Sequence, residues 1–305
     1  MCFSYEPCAR RGLYLTSIRH ADNLSGGNRD AVILSIEGNE ATGKTALALT
    51  APLPIVMFSL DMGSERALYG ALYEKYFDGL KIQTHRYQPL KPGEKPPAYE
   101  GNDITVYQLP APIQLDNMRL VGYMEQWDYF MQVYAKAIQD PNVATVVVDT
   151  MTLLRKNKCD AYLQELQQGG RARKQLTQIE YGHPDGAIRS LYTFAQSLGR
   201  NFIGIHHLRP HYVTIMRNGQ EESVPDGTDE IDGVRDTQRY VDVGLRNVKD
   251  KDGKLKSRFI KCGPNLSYEG MEIPNMTWDR LVSMLETGWH GPKYQRRIAE
   301  VESGK

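Results

Sequence analysis

The sequence predicts an α/β fold: a mainly parallel central sheet flanked by helices, with a C-terminal β-hairpin. Three observations predict it. Short apolar runs rich in β-branched residues recur at 31–36, 54–60, 104–109, 143–148 and 201–206. Such runs suit strands buried on both faces. Segments with helical spacing lie between several of them. Two more strand-like runs, 241–248 and 255–262, flank Lys249-Asp250-Lys251-Asp252-Gly253, where Asp-Gly is a hairpin turn signal.

Each element follows in order. Residues 1–30 are mixed and polar and form an N-terminal leader segment. The 31–36 strand runs into a loop bracketed by Gly38 and Gly43, and a helix opens at Thr45. The 54–60 strand ends at Asp61, and another helix starts at Gly63-Ser64-Glu65. Residues 86–103 hold Pro89, Pro92, Pro96 and Pro97 and read as a loop or lid. A helix is expected over 116–139, with Asp116 as its cap. The 143–148 strand delivers Asp149, and a polar, basic stretch follows at 155–182. A helix at 184–198 precedes the 201–206 strand. Residues 207–238 form a long polar stretch with Gly, Pro and acidic residues. The expected units are the leader, a core over 31–275, and a C-terminal helix and tail over 276–305.

Composition narrows the function. The chain has 305 residues, 41% hydrophobic and 24% charged, as ordinary globular proteins do. Lys+Arg and Asp+Glu are both 37, so overall charge points to neither nucleic acid nor a membrane surface. Four cysteines are too few for a disulfide scaffold. No run approaches the ~18 apolar residues of a membrane span, and 1–30 lacks a signal-peptide core. The expectation is a cytoplasmic protein with no membrane partner.

The loop Gly38-Asn39-Glu40-Ala41-Thr42-Gly43-Lys44-Thr45 fits the pattern G-x-x-x-x-G-K-[ST]. Glycines let the backbone turn its N–H groups into one concavity, and the following helix adds its positive end. Lys44 supplies charge for the β/γ-phosphates, and the Thr45 hydroxyl suits Mg²⁺. A buried strand before the loop and Ala-Leu-Ala-Leu after it supply the context the pattern needs. The expected ligands are therefore ATP and Mg²⁺. Asp149 ends a strand on the side where open α/β sheets bind ligands, and it is the second candidate for the metal. As an alternative, it caps the next segment.

With Glu40 in the loop, Val146-Val147-Val148-Asp149-Thr150, and 201–209 ending in His206-His207-Leu208-Arg209, the chain resembles the RecA class of P-loop ATPases. A narrower resemblance is to phage-encoded RecA-like ATPases associated with single-strand annealing, carried by Glu180-Tyr181-Gly182 and the His206-His207 pair. The resemblance implies a RecA-like sheet, ATP hydrolysis, and assembly into a homo-oligomeric ring or filament. It also implies action on single-stranded DNA, with a recombination partner protein.

In that class a carboxylate after the second strand activates water. Asp61 and Glu65 are the candidates here, and the usual glutamate is not at its expected place. Glu65 also reads as a first-turn acid stabilised by its helix. Of the two histidines only one can face the nucleotide. His206 is taken as the γ-phosphate sensor, with a structural histidine as the alternative. Arg246 and Lys249, with Lys251 and Arg258, lie on or beside the terminal hairpin and are candidates to act in trans on a neighbour's phosphate. Arg155, Lys156, Lys158, Arg171, Arg173 and Lys174, then Arg209, His211 and Arg217, are candidates for DNA phosphates, with Tyr162 or Tyr212 stacking on bases. The alternative to an ATPase acting on DNA is a nucleotide-dependent switch or assembly factor with little turnover.

Overall fold

The apolar runs become strands because their neighbours cover both sides. In the computed structural model, which describes residues 31–61, 63–70, 76–114, 119–171, 173–217 and 220–297, β1 (Ile33–Gly38) pairs in parallel with β6 (Asn201–His206) and β9 (Val243–Lys249). Beyond β6 come β5 (Thr145–Asp149), β2 (Ile55–Ser59), β4 (Ile104–Gln108) and β3 (Ile82–Arg86), all parallel. At the other end β10 (Leu255–Cys262) pairs antiparallel with β9, and β11 (Glu272–Pro274) with β10. The nine-stranded order is β11-β10-β9-β1-β6-β5-β2-β4-β3. This is the mainly parallel sheet the sequence predicts, with the 243–262 hairpin on its flank. The leader at 1–30, the Asp116 cap and the last tail residues lie outside the described residues.

Alternation along each strand divides the core in two. Val147, Ile203, Ile205 and Leu245 face α1 (Lys44–Ala48) and α6 (Trp278–Leu285). Val146, Val148 and Phe202 face α3 (Tyr123–Gln139), α4 (Met151–Gln168) and α5 (Gly182–Ser197). α2 (Ser64–Leu68) follows β2 at the carboxyl edge. α6 is built into the core. Trp278 is fully buried, its backbone N–H donates to Thr50 Oγ1 (2.8 Å), and its indole donates to the Gln295 carbonyl (2.7 Å).

Three segments depart from expectation. Residues 86–103 are no lid: β3 and β4 are parallel neighbours, so the chain must return the full strand length between them. The proline-rich segment is that crossover. Tyr87, Leu90 and Tyr99 pack on the α3 side of the sheet, and the Tyr107 hydroxyl donates to the Pro97 carbonyl (3.1 Å). The basic stretch after Asp149 is helical as far as Gln168, as α4. The polar stretch after β6 is a two-stranded arm, β7 (Leu208–Arg217) and β8 (Gln220–Ile231).

Replacing Trp278 by Ala should cost about 3–5 kcal/mol, the usual range for a buried aromatic. Urea denaturation measures it; a loss under about 1 kcal/mol would show that α6 is an appendage rather than core.

Candidate functional site

The 38–45 loop leaves β1 at the carboxyl edge of the sheet. Gly43 takes a left-handed conformation (φ 75°) at the start of α1, where a side chain would be strained. A Cβ on Gly38 would come within 2.5 Å of the Asn247 carbonyl and 2.9 Å of Thr42 Oγ1, so only glycine lets the loop sit this close to β9. Asn247 Nδ2 donates to the Thr42 carbonyl (3.1 Å), and Ser257 donates to Asn247 Oδ1 (2.8 Å). β9 and β10 thus brace the loop from the side. Motif reading missed Asn247 and Ser257, because nothing in their local sequence shows which strand lies beside the loop.

Lys44 folds back on its own loop. Its ammonium donates to the Gly38 and Asn39 carbonyls, both at 2.7 Å. Burial lowers its pKa, while Asp149, Asp61 and Glu40 oppose that. Thr45 Oγ1 donates to Asp149 Oδ2 at 2.6 Å, reaching across β6 to β5. Asp149 is almost wholly buried. Burial and the nearby Asp61 carboxylate push its pKa up to about 7, against the Thr45 hydrogen bond and Lys44. Beside it in register stands Ser59, whose buried hydroxyl has no hydrogen-bond partner.

Asp61 is exposed and near enough to act on both Asp149 and Lys44; its Oδ1 accepts from the Gly63 N–H (2.8 Å). Glu65 is exposed on α2 and accepts from Gln108 Nε2 at the end of β4 (3.3 Å).

The two histidines sort by parity. His206 shares the Phe202 side of β6 and is fully buried, with Nε2 3.0 Å from the Tyr192 hydroxyl of α5. Burial drops its pKa to about 3, so it is neutral. It lies on the face of β6 opposite the loop, against α5. His207 is half-buried and faces the other way. Burial comes first in lowering its pKa, then the Lys44 ammonium. Its backbone N–H donates to Thr152 Oγ1 (3.1 Å).

Arg246 is engaged within its own chain: Nε lies 2.5 Å from Glu37 Oε1, and Nη2 donates to the Asp229 carbonyl (3.2 Å). Burial raises the Glu37 pKa and Arg246 opposes it. Lys249 and Arg258 are exposed.

The basic stretch is also largely committed. Arg155 pairs with Asp185 (2.6 Å), Lys156 with Asp160 (2.8 Å) and Arg173 with Glu180 (2.5 Å). Lys158 sits over the Trp127 ring (4.7 Å), and Tyr162 stacks on His183 (4.4 Å). On the arm, Arg209 pairs with Glu230 (2.8 Å), His211 with Asp226 (2.8 Å) and Arg217 with Glu222 (3.6 Å).

The donors fit a triphosphate with Mg²⁺. The loop is glycine-limited, a lysine is held only by its own loop carbonyls, and a hydroxyl and a carboxylate meet at 2.6 Å beside an unpartnered serine. Hard oxygen donors of this kind suit Mg²⁺. Among the described residues no cluster of three or more His, Cys, Asp or Glu could hold another metal, and no helix is long and apolar enough to cross a membrane.

No protein-family model matches the chain, and no curated protein matches it. Among solved structures, a KaiC-like protein from the hyperthermophilic archaeon Pyrococcus horikoshii OT3 is similar, at 15% identity and a TM-score of 0.40, with 82% of this chain and 87% of that chain covered. A likeness that distant adds nothing to the site, which stands on its own geometry.

Asp149 makes a pH prediction. The folded state keeps the carboxyl protonated up to about pH 7, whereas the unfolded chain loses that proton at its ordinary, lower pKa. Stability therefore falls as pH rises between those values. Asp149→Asn should melt above wild type at pH 8 and level with it near pH 4. Melting below wild type at pH 8 would refute the raised pKa. Asn247→Ala should weaken nucleotide binding about tenfold, the cost of one buried hydrogen bond to the loop, with calorimetric affinity as the check.

Proposed function

We propose that the chain binds ATP with Mg²⁺ and hydrolyses it. The observation that carries this is the Thr45–Asp149 contact at the mouth of the 38–45 loop. Lys44 gives up the Gly38 and Asn39 carbonyls and turns to the β/γ-phosphates. Loop N–H groups hold the remaining phosphate oxygens. Thr45 and Asp149 hold the metal, which neutralises charge on the phosphates when bound. Asp61 is the favoured group to orient the attacking water, because its charge already reaches both Lys44 and Asp149; Glu65, tethered to Gln108, is the second candidate. His207 takes the sensor role in place of His206.

Action on single-stranded DNA in recombination is the finer reading, with assembly of several copies around the nucleotide. Its support is the 171–181 connection, where Lys174 and Ile179 are exposed, as are Arg171, 3.7 Å from Glu180, and Tyr181, whose ring lies 5.5 Å from the Arg155 guanidinium. Cations and a ring there suit phosphates and bases. The switch reading, with little turnover, gains from the exposed and loosely held Asp61 and Glu65.

Lys44→Ala should abolish nucleotide binding by calorimetry while leaving the melting temperature within a few degrees. Asp61→Asn should lower phosphate release at least about tenfold with binding retained, and Glu65→Gln should have the smaller effect; the reverse order would transfer the role to Glu65. Turnover should rise with single-stranded DNA and fall with salt. Turnover indifferent to DNA removes the DNA half, and binding without turnover favours the switch.

A further inference from the structure

The arm of β7 and β8 stands outside the central sheet, and its strands are mostly exposed. From 208 to 231 it carries two arginines against five carboxylates, a formal charge of −3. The β9–β10 hairpin, from 243 to 262, carries seven cations against two carboxylates, +5. The whole chain is neutral, so the two projections hold opposite shares of an uneven distribution.

Both projections also carry exposed apolar or hollow surface. On one side of the arm Tyr212 stands opposite Pro225 and Met216 opposite Glu221. Tyr212 and Met216 are 57% and 67% exposed, high for large apolar side chains. On the hairpin, Leu245 and Phe259 turn into the core, while Arg246 and Arg258 stand opposite each other on the other face. These two arginines, with Phe259, Ile260 and Gly270, line a pocket of about 350 Å³. Like charges directly opposed across strands destabilise a sheet unless something offsets them. Glu37 offsets Arg246, and Glu272 of β11 stands opposite Arg258 on its other side.

We propose that the face of the arm carrying Tyr212, Met216 and Glu221 docks on the basic β9–β10 face of a second copy of this chain. Glu221 meets Arg258 and Lys254, and Tyr212 and Met216 cover the Phe259–Ile260 pocket. Because the arm's base is fixed beside the site, docking is tied to it: Thr152 Oγ1 accepts from the His207 N–H and donates to the Asp232 carbonyl (2.6 Å), at the root of both arm strands. The inference deepens the assembly part of the proposed function and rests on it.

Light scattering on the full chain tests it, at about 50 mM and about 1 M salt, where screening lengths differ several-fold. Wild type should be larger than a monomer at low salt and shrink towards one at high salt. Glu221→Lys with Glu222→Lys should be monomeric at both, and so should Lys254→Glu with Arg258→Glu. An equimolar mixture of the two variants should regain mass, since each supplies the face the other lost. Unchanged melting of each variant excludes misfolding, and unchanged nucleotide affinity of the arm variant separates this outcome from failure of the ATP reading. Three results would overturn the docking: monomeric wild type at low salt, variants as large as wild type, or a mixture that stays monomeric. Loss of single-stranded DNA binding by the arm variant with its mass unchanged would assign the arm to DNA instead.

Discussion

Thr45 lies in α1, just after β1, and Asp149 ends β5; they are 104 positions apart in the chain, β6 separates the two strands, and the side chains meet at 2.6 Å. The contact depends on much of the architecture. β1 must end in a glycine that allows the loop to lean on Asn247. β5 must be in register with β2, so that a carboxylate emerges beside Ser59 on the α1 side of the sheet. β6 must lie between β1 and β5, with Ile205 in register with Asp149 on the α1 side. Each of these conditions is set by packing far from the loop, and together they bring one hydroxyl and one buried carboxyl to the same point.

A carboxyl buried this deeply is costly when ionised and unpaired. The protein meets the cost in two ways, with a proton held to about pH 7 and with the nearby Lys44 charge. Either leaves a site that gains from an added cation. Such strain against stability is typical of functional positions, and it explains why a neutral substitute should make the ligand-free protein more stable while disabling it. Lys44 is held in a similarly provisional way: its partners are loop carbonyls that any bound phosphate would replace.

Much of this was legible in the sequence because two signals coincide there. The strands at 33–38, 145–149 and 201–206 are largely apolar and buried along their whole length, and the Gly-Lys-Thr spacing marks the loop between the first strand and its helix. What stayed hidden was long-range. Parity alone could not tell which of His206 and His207 faces the loop; that depends on Phe202 packing on α5 and Ile205 on α1. α4 was obscured because Asn157 and Gln164 occupy buried positions on it: Asn157 bonds to Gln126 (2.5 Å), and Gln164 accepts from the Tyr123 N–H of α3 (2.9 Å). The arm was obscured because its strands pair charges across the ladder rather than burying an apolar face. The Pro-rich crossover looked like a lid until the parallel pairing of β3 and β4 required it to run back along the sheet.

The most direct test of the central contact is calorimetry of ATP–Mg²⁺ binding at pH 7 in two buffers with different ionisation heats. If the metal takes the place of the Asp149 proton, wild type should release protons on binding, and Asp149→Asn should lose that release. Binding heats that are the same in both buffers for wild type, or a release that persists in Asp149→Asn, would contradict the account.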